Sequence, residues 1–366
     1  MNVVIFEHLL GNILRGHEVW LQVLASGLTN TFGDHVTIVG EKSLSSDVKS
    51  VIGEEFDYAA EFELPITHGM HSHSTKDLSE ERKKVATDIS RVIEKYADAD
   101  LHIFPTAFPV TALGLVSARN RAKNTTLLFH HSHDDRVDAP LLEATNMLSA
   151  FSNLSRSSLA CFAQSPSLAA EFLELGISCK VAPYPFFGAL PKTPRQGPLR
   201  RLGIFGHQRK DKNNGLLLPL MNKLLAAGLE VVYHNSKGTP CVLAHERLTK
   251  IERHLPPNEF ATQIAGCDAV IITNEPALHA KRISGVCLDA LSAGVPVIVP
   301  DKTHMSRLAN SGRAGVCYKD RSVDGICAAI DLAGRNYANL GSNAFHLAKW
   351  LHNTGGYERL TATLRG

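Results

Sequence analysis

The chain of 366 residues has a formal net charge of +2, with 44% hydrophobic and 20% charged residues. This composition predicts a soluble globular protein with two cores, and the weak net charge gives no support for a nucleic-acid partner. Seven cysteines without C-x-x-C spacing indicate a reducing compartment and argue against a disulfide framework or a zinc ribbon. The first residues predict a strand rather than a signal peptide, and no apolar run has the length of a membrane span, so we expect a cytoplasmic protein.

The first half of the chain alternates short apolar strands with helices. Strand Asn2–Phe6 is followed by a loop that contains Gly11 and Gly16, a helix over His17–Asn30 and strand His35–Val39. This start is typical of a doubly wound sheet, in which the first loop faces the ligand. The other elements predicted in this half are helix Ser79–Tyr96, strand Leu101–Phe104, helix Thr111–Arg119, strand Thr125–Phe129, strand Leu159–Phe162, helix Ser165–Leu175 and strand Cys179–Ala182.

Residues 183–200 contain five prolines and no hydrophobic periodicity, which indicates a linker between two domains. The second half repeats the alternation. Its predicted elements are strand Arg201–Phe205, helix Gly215–Ala227, strand Glu230–His234, helix Val242–Leu255, helix Glu259–Ile264, strand Ala269–Thr273, strand Gly315–Tyr318 and helix Val323–Ala333. Two such halves predict an α/β fold of two Rossmann-like domains that face each other across a cleft, with ligands at the carboxyl ends of the strands.

The stretch Ser284–Val299 predicts a short helix, a turn and a buried strand. Gly294 suits the end of the helix, where a positive φ is needed, and Pro296 prevents the helix from continuing. Asp289 is the one acid in this apolar segment, either on a solvated helix face or in a site. The polar residues just before it favour a site: Arg282, Ser284 and Gly285.

A basic loop, Gly206–Asn213, follows a predicted buried strand and leads into a helix. It carries Arg209, Lys210 and Lys212. Three cations beside the free N–H groups of a helix start favour binding of a phosphate or diphosphate over a solvated turn.

The first loop has the G-x-x-x-x-G spacing of a P-loop between Gly11 and Gly16. His17 and Glu18 follow, where a P-loop needs Lys and then Ser or Thr, and the loop does not contain G-x-G-x-x-G. ATP hydrolysis and NAD chemistry therefore lose support. A loop that approaches a ligand remains, with Gly11, Arg15 and Gly16 as contacts.

Histidines follow the predicted strand Thr125–Phe129, at positions His130, His131 and His133. In an extended segment His131 and His133 point to the same side, and such a pair can hold a metal ion. We favour a polar contact with substrate, because a metal site needs further ligands. A metal-dependent hydrolase that uses His131 and His133 stays as an alternative.

The second half resembles the donor-binding domain of GT-B glycosyltransferases of the retaining family-4 type. The matching segments are Gly206–Lys212, Ala265–Val270, Leu288–Val297 and Gly312–Tyr318, and Ala163–Ser167 resembles the last α-β unit of the family's first domain. The family's Glu-x7-Glu motif is altered, since Lys281 stands for its first glutamate and Asp289 for its second. Residues 282–286 are similar to a variant branch that carries Arg-x-Ser-Gly-Val there.

The resemblance assigns roles to individual residues. Arg209 and Lys212 would neutralise the donor diphosphate, with Lys210 as a substitute for either. Asp289 would accept hydrogen bonds from the ribose hydroxyls, and His131, or its neighbour His130 or His133, would contact the donor sugar. The remaining donor contacts are Gly11 and Gly16 beside the phosphates, Gly206, Arg282 as a further phosphate ligand, and the backbone N–H groups of Ser284 and Gly285 as an anion cap.

The resemblance implies a metal-independent transferase that moves a sugar from a UDP- or GDP-sugar to an acceptor hydroxyl with retention. The product would be a glycan, polysaccharide or glycoconjugate. No cofactor or metal is expected, and the partners are the nucleotide-sugar donor and a glycan, lipid-linked or small-molecule acceptor. The expected domains are 1–185 for the acceptor, a hinge at 186–200, 201–340 for the donor, and a helical tail 341–366 that packs on the first domain.

Two alternatives remain besides the metal-dependent hydrolase. One is a catalytically inactive GT-B-like protein that binds without turnover. A nucleotide-sugar epimerase with the same fold is weaker, because the motifs of the second half are closer to transferases. Peripheral contact with the inner membrane face also stays open, although the first half shows no basic amphipathic helix.

Overall fold

The computed structural model describes residues 1–11, 17–64, 75–130, 159–174, 176–208, 212, 214–235 and 241–366. In these residues the chain forms two compact units. The first contains Met1–Pro183 and Tyr357–Gly366, and the second contains Tyr184–Gly356. Each unit is built on one parallel sheet, as the sequence predicts for an α/β fold with two Rossmann-like domains.

The first unit has strands in the order β3-β2-β1-β4-β5-β6-β7. Its strands are β1 (Asn2–Phe6), β2 (His35–Glu41), β3 (Asp57–Phe62), β4 (Leu101–Ala107), β5 (Asn124–Phe129), β6 (Leu159–Ala163) and β7 (Lys180–Val181). Its helices before the linker are α1 (His17–Phe32), α2 (Ser46–Ile52), α3 (Thr75–Lys95), α4 (Pro109–Ser117) and α5 (Pro166–Glu174).

The side chains of β1 alternate between the two faces of this sheet, as the pleat of a strand requires. Val3 and Ile5 pack into one core, and Val4 and Phe6 pack into another. Each of these cores also contains buried residues of helices, which shows that helices cover both faces of the sheet. Continuous apolar strands of this kind are typical of a parallel sheet buried on both sides.

The second unit has the strand order β10-β9-β8-β11-β12-β13, the doubly wound order in which the chain starts in the middle of the sheet. Its strands are β8 (Arg201–Ile204), β9 (Glu230–His234), β10 (Leu248–Ile251), β11 (Ala269–Ile271), β12 (Val297–Pro300) and β13 (Gly315–Tyr318). Its helices are a 3-10 turn (Asn214–Leu216), α6 (Leu217–Ala226), α7 (Pro257–Ala265), α8 (Pro276–His279), α9 (Gly285–Ser292), α10 (His304–Ser311), α11 (Val323–Arg335) and α12 (Tyr337–Thr354).

One predicted element is wrong. The sequence predicts a helix over Val242–Leu255, but the structure has strand β10, Leu248–Ile251, paired in parallel with β9. The hydrogen bonds to β9 determine this conformation, and the apolar spacing that suggested a helix does not outweigh them. Four further elements are absent from the predicted set: α2, β3, α8 and α10.

The C-terminal segment divides between the two units. Helix α12 belongs to the second unit, where Ala344, Leu347 and Leu351 are buried in a core with residues of α9. The last helix, α13 (Tyr357–Arg365), belongs to the first unit, where Leu360 and Leu364 are fully buried. The part of the tail in the first unit therefore starts at Tyr357 and not at residue 341. Of the helices described, none is both long and apolar enough to cross a membrane.

Candidate functional site

A depression lies in the second unit at the carboxyl ends of β8 and β11. The chain continues from β8 to β9 in one half of the sheet and from β11 to β12 in the other half. The carboxyl ends of β8 and β11 are therefore the switch point at which doubly wound sheets bind ligands. Apolar residues form one part of its lining, and the polar part consists of Gln208, Lys212, Thr273, Asn274 and Ser284.

Lys212 supplies a cation to this depression, and Gly206 makes room for it. Gly206 has φ +93°, a conformation that residues with a Cβ rarely adopt. A Cβ on Gly206 would lie 2.9 Å from the Nζ of Lys212, so the ammonium rests against the glycine Cα. The hydroxyl of Thr273 donates a hydrogen bond to the backbone carbonyl of Lys212, which fixes the backbone that carries the cation.

The turn at Gly206 is held by residues at the end of β9. Gly206 N–H donates to Nδ1 of His234 at 3.1 Å, and Gln208 N–H donates to Oδ1 of Asn235 at 3.2 Å. The amide of Gln208 donates to the carbonyls of Gly206 at 2.9 Å and His234 at 3.2 Å. The side chains of Gln208, His234 and Asn235 are buried. Because these buried polar groups satisfy each other, they specify one conformation of the turn.

Helix α9 begins beside the same depression. Ser284 is its N-cap, and the Ser284 hydroxyl accepts a hydrogen bond of 3.4 Å from Cys287 N–H. Gly285 is exposed, and a Cβ there would meet no atom within 4 Å. The start of a helix carries a partial positive charge and N–H groups without intrahelical partners. Together with Lys212, it forms a surface that favours an anion.

Comparison with solved structures places this arrangement in a known fold. Sucrose-phosphate synthase from Thermosynechococcus elongatus is 12% identical, with a TM-score of 0.65 over 99% of this chain and 96% of that one. HepE from Anabaena, in complex with UDP, is 11% identical, with a TM-score of 0.67 over 100% and 98%. SnogD, a glycosyltransferase from Streptomyces nogalater, is 16% identical, with a TM-score of 0.60 over 100% and 99%. The chain has the GT-B fold. No family model matches the sequence, and no curated protein does.

In this GT-B chain Asp289, which the sequence predicts to contact the ribose, has a partner in the protein backbone. Its carboxylate accepts a hydrogen bond of 2.8 Å from the backbone N–H of Phe187, and it is not among the residues that line the depression. Burial raises the pKa of Asp289 to about 7, although the hydrogen bond from Phe187 acts in the opposite direction. The physical reason for this partner is that the extended segment over α9 buries an N–H, which needs an acceptor.

The other predicted contacts are distributed over the two units. Lys212 and Ser284 line the depression, and Gly206 lies against the ammonium of Lys212. Arg282, which is half-buried, precedes Ser284 by two residues. Gly11 belongs to the first unit, where a Cβ on it would clash with the carboxylate of Glu41. The ring of His130, also in the first unit, contacts the carbonyl of Pro105 and the amide of Gln164. Six predicted residues lie outside the described part of the chain: Arg15, Gly16, His131, His133, Arg209 and Lys210.

Most of the polar residues around the depression are not among those that the sequence predicts. Gln208, His234, Asn235, Thr273 and Asn274 are all buried, and each lies within four residues of the carboxyl end of β8, β9 or β11. That position was the available signal, since ligands of doubly wound sheets bind there. In the described residues, no group of three or more His, Cys, Asp or Glu side chains could hold a metal ion.

Proposed function

We propose that the protein is a glycosyltransferase that takes a sugar from a nucleotide-diphosphate donor and transfers it to an acceptor hydroxyl. The observation that carries this proposal is the position of Lys212 beside the start of α9, at the switch point of the second sheet. A cation and a helix start in this place suit a diphosphate. The depression also has an apolar part, formed in part by Phe205 and Val286, against which a nucleoside can pack.

Leaving-group stabilisation is the chemistry that such a site can supply. Negative charge grows on the β-phosphate as its bond to the sugar breaks, and Lys212 with the N–H groups of α9 would stabilise that charge. One preorganised contact of this kind typically contributes about 10²–10³ in rate. The sequence adds Arg209, Lys210 and Arg282 as further candidate cations. With these charges present, we propose that transfer needs no metal ion.

Retention of configuration is proposed from the sequence resemblance. The sugar–phosphate bond breaks and the bond to the acceptor oxygen forms on the same face of the sugar. The acceptor proton passes to the departing phosphate oxygen, so no carboxylate nucleophile is required. In this proposal His131 contacts the donor sugar.

A UDP- or GDP-sugar is the proposed donor, and similarity to HepE, whose structure holds UDP, favours UDP. The proposed acceptor is a glycan, a lipid-linked saccharide or a small molecule, which places the protein in glycan, polysaccharide or glycoconjugate biosynthesis. We propose that it works in the cytoplasm, where nucleotide sugars and reduced cysteines both occur.

A thermal-shift panel with UDP, GDP, ADP and their sugars tests the proposal. We expect one nucleotide diphosphate to raise the Tm of the wild type. Lys212→Ala should lose most of that increase, because the ammonium beside Gly206 is removed. Lys349→Ala is the matched control, since Lys349 is an exposed lysine of α12 in the same unit. No stabilisation by any of these ligands would refute the proposal.

Activity separates the proposal from its alternatives. Donor turnover with an acceptor, unchanged by a chelator, is the result expected of a metal-independent transferase. Donor binding without turnover would indicate a binding protein. Stoichiometric metal in the purified protein, with hydrolysis that a chelator abolishes, would indicate the hydrolase instead.

A further inference from the structure

His234 is the last residue of β9 and lies between two loops at the carboxyl edge of the second sheet. On one side, Tyr233 pairs with Ile204, so His234 lies beside the turn at Gly206 that follows β8. On the other side, His234 itself pairs with Ile251, which brings it beside the loop at Arg253. His234 is only 3% exposed. It thus connects the segments that follow β8 and β10, two strands that do not pair with each other.

Two backbone groups define the proton on this ring. Gly206 N–H faces Nδ1 at 3.1 Å, and because an N–H can only donate, Nδ1 must accept. The carbonyl of Arg253 faces Nε2 at 3.0 Å, and because a carbonyl can only accept, Nε2 must carry the proton. The surroundings therefore select the neutral ring with its proton on Nε2. A doubly protonated ring would set one N–H against another at Gly206.

The other contacts of the ring oppose its protonation and fix its plane. Phe260 packs edge-on against the ring of His234, with ring centroids 5.4 Å apart. The ring centroid of Phe205 lies 6.3 Å from that of His234. Burial lowers the pKa of His234, and electrostatic interactions with His254, Lys212 and Arg253 lower it further, whereas the hydrogen bond to the Arg253 carbonyl acts in the opposite direction. The guanidinium of Arg253 is itself paired with Glu259.

The ring of His234 affects the candidate site through the peptide N–H of Gly206. It holds Gly206 N–H, and Gly206 is the residue against which the ammonium of Lys212 rests. The backbone carbonyl of His234 also accepts a hydrogen bond from Gln208, which lines the depression. A change at Nδ1 would therefore reach Lys212 and Gln208 without a contact between the ring and a ligand.

We infer that His234 is a positioning residue for the diphosphate of the donor, and that it acts as a neutral acceptor for Gly206 N–H. Protonation of the ring releases this turn and weakens diphosphate binding. The inference rests on the proposed function, because it assumes that Lys212 binds the diphosphate. The proposed role depends on Nδ1 of His234, so substitutions that keep or remove an acceptor there can distinguish this role from a packing role of the ring.

Two substitutions test which nitrogen matters. In His234→Asn, the side-chain oxygen can take the place of Nδ1 and accept from Gly206, but the donor to Arg253 is lost. In His234→Gln, the longer amide reaches the place of Nε2 and donates to Arg253, but the acceptor for Gly206 is lost. Neither variant titrates in the range of histidine. Both lose the imidazole ring and one hydrogen bond, so we expect similar decreases in Tm.

Calorimetric titration of UDP-glucose into each protein at pH 7.5 gives the decisive comparison, because a sugar diphosphate does not change its charge between about pH 5 and 8. If another nucleotide sugar stabilises the wild type better in the thermal-shift panel, it replaces UDP-glucose. We expect His234→Asn to bind within about threefold of the wild type and His234→Gln about tenfold more weakly, as the loss of one hydrogen bond predicts. Equal weakening in both variants would overturn the inference.

The pH dependence provides a readout that packing alone would not change. Between pH 8 and 5 the affinity of the wild type should fall at the acid end, and that of His234→Asn should fall less. Parallel pH profiles would contradict the inference. If the wild type binds no nucleotide sugar, the proposed function fails, and the tautomer can still be tested separately. NMR of ¹⁵N-histidine-labelled free protein should show the proton of His234 on Nε2, and a proton on Nδ1 would refute the geometry itself.

Discussion

Oδ1 of Asp289 accepts a hydrogen bond of 2.8 Å from the backbone N–H of Phe187, which ties helix α9 to the proline-rich segment that begins the second unit. The next residue, Gly188, lies so close to the helix that a Cβ on it would be 2.2 Å from the hydroxyl of Ser292. A buried acid and a glycine thus allow an extended segment to lie directly on α9. Contacts with Phe187 and Gly188 therefore fix the position of α9, the helix that starts at the candidate site.

The buried carboxylate predicts a pH-dependent stability. Its folded pKa of about 7 exceeds the ordinary 3.8, so the native state binds more protons than the unfolded state between these values. The contribution of Asp289 to the free energy of unfolding therefore falls as pH rises from about 4 to about 7, by about 1.4 kcal/mol per unit of pKa shift at most. Asp289→Asn keeps an acceptor for Phe187 but has no charge. Urea unfolding should show this variant gaining stability relative to the wild type as pH rises through that range.

A constant difference between the two proteins across this pH range would refute the raised pKa. The same variant tests the ribose contact predicted from the sequence. If Asp289 accepts hydrogen bonds from ribose hydroxyls, Asp289→Asn should bind the nucleotide about tenfold more weakly at pH 7.5. Unchanged binding would leave Asp289 with its contact to Phe187 alone.

Gly206→Ala should weaken nucleotide binding. The alanine must adopt φ +93°, which is strained for a residue with a Cβ. Its Cβ would lie 2.9 Å from the Nζ of Lys212, so the ammonium has to move. We expect a loss of about 1 kcal/mol in stability and about tenfold in nucleotide affinity. Gly215→Ala is the control, because a Cβ there meets no atom within 4 Å. Thermal shift and calorimetric titration measure both effects, and equal behaviour of the two variants would contradict the role of Gly206.

The sequence predicts the buried part of the fold well. Strands Asn2–Phe6, Glu230–His234 and Gly315–Tyr318 have the predicted bounds, because apolar and β-branched runs determine buried parallel strands. Leu248–Ile251 shows the limit of this reasoning. This strand at the edge of the sheet contains no buried residue, so its place depends on hydrogen bonds to β9 that residue preferences do not indicate.

The candidate site shows a similar limit. The side chain of Lys212 and the backbone N–H of Ser284 suit an anion, and the sequence points to both residues. His234 and Asn235 act on backbone groups of a loop far away in sequence, so their contribution depends on the strand order that brings β9 beside β8. Asp289 is the opposite case, since its carboxylate suggests a ligand but is bonded to the backbone of Phe187.

Leu360→Ala should destabilise the first unit, although Leu360 lies at the end of the chain. Leu360 is fully buried with residues of α1, and Tyr357 of the same helix packs on Trp20 with ring centroids 5.3 Å apart. We expect a loss of about 2–5 kcal/mol. Urea unfolding followed by Trp20 fluorescence in a Trp350→Phe background would report on this unit, because the chain contains two tryptophans. Leu173→Ala, at a leucine that is 63% exposed in the same unit, should change little, and a similar loss in both would contradict the packing of α13.

Ser284→Ala and Ser322→Ala separate helix capping from anion binding. Each serine is the N-cap of a helix in the second unit, Ser284 for α9 and Ser322 for α11, and each hydroxyl accepts a hydrogen bond from a backbone N–H. Loss of such a cap costs about 1 kcal/mol, so both variants should show similar decreases in the free energy of unfolding. Only Ser284 lines the depression, so only Ser284→Ala should also weaken nucleotide binding, by a factor of several. If calorimetric titration found equal affinities for the two variants, the hydroxyl of Ser284 would not contribute to nucleotide binding, and the contribution of α9 to the diphosphate site would be limited to its backbone N–H groups.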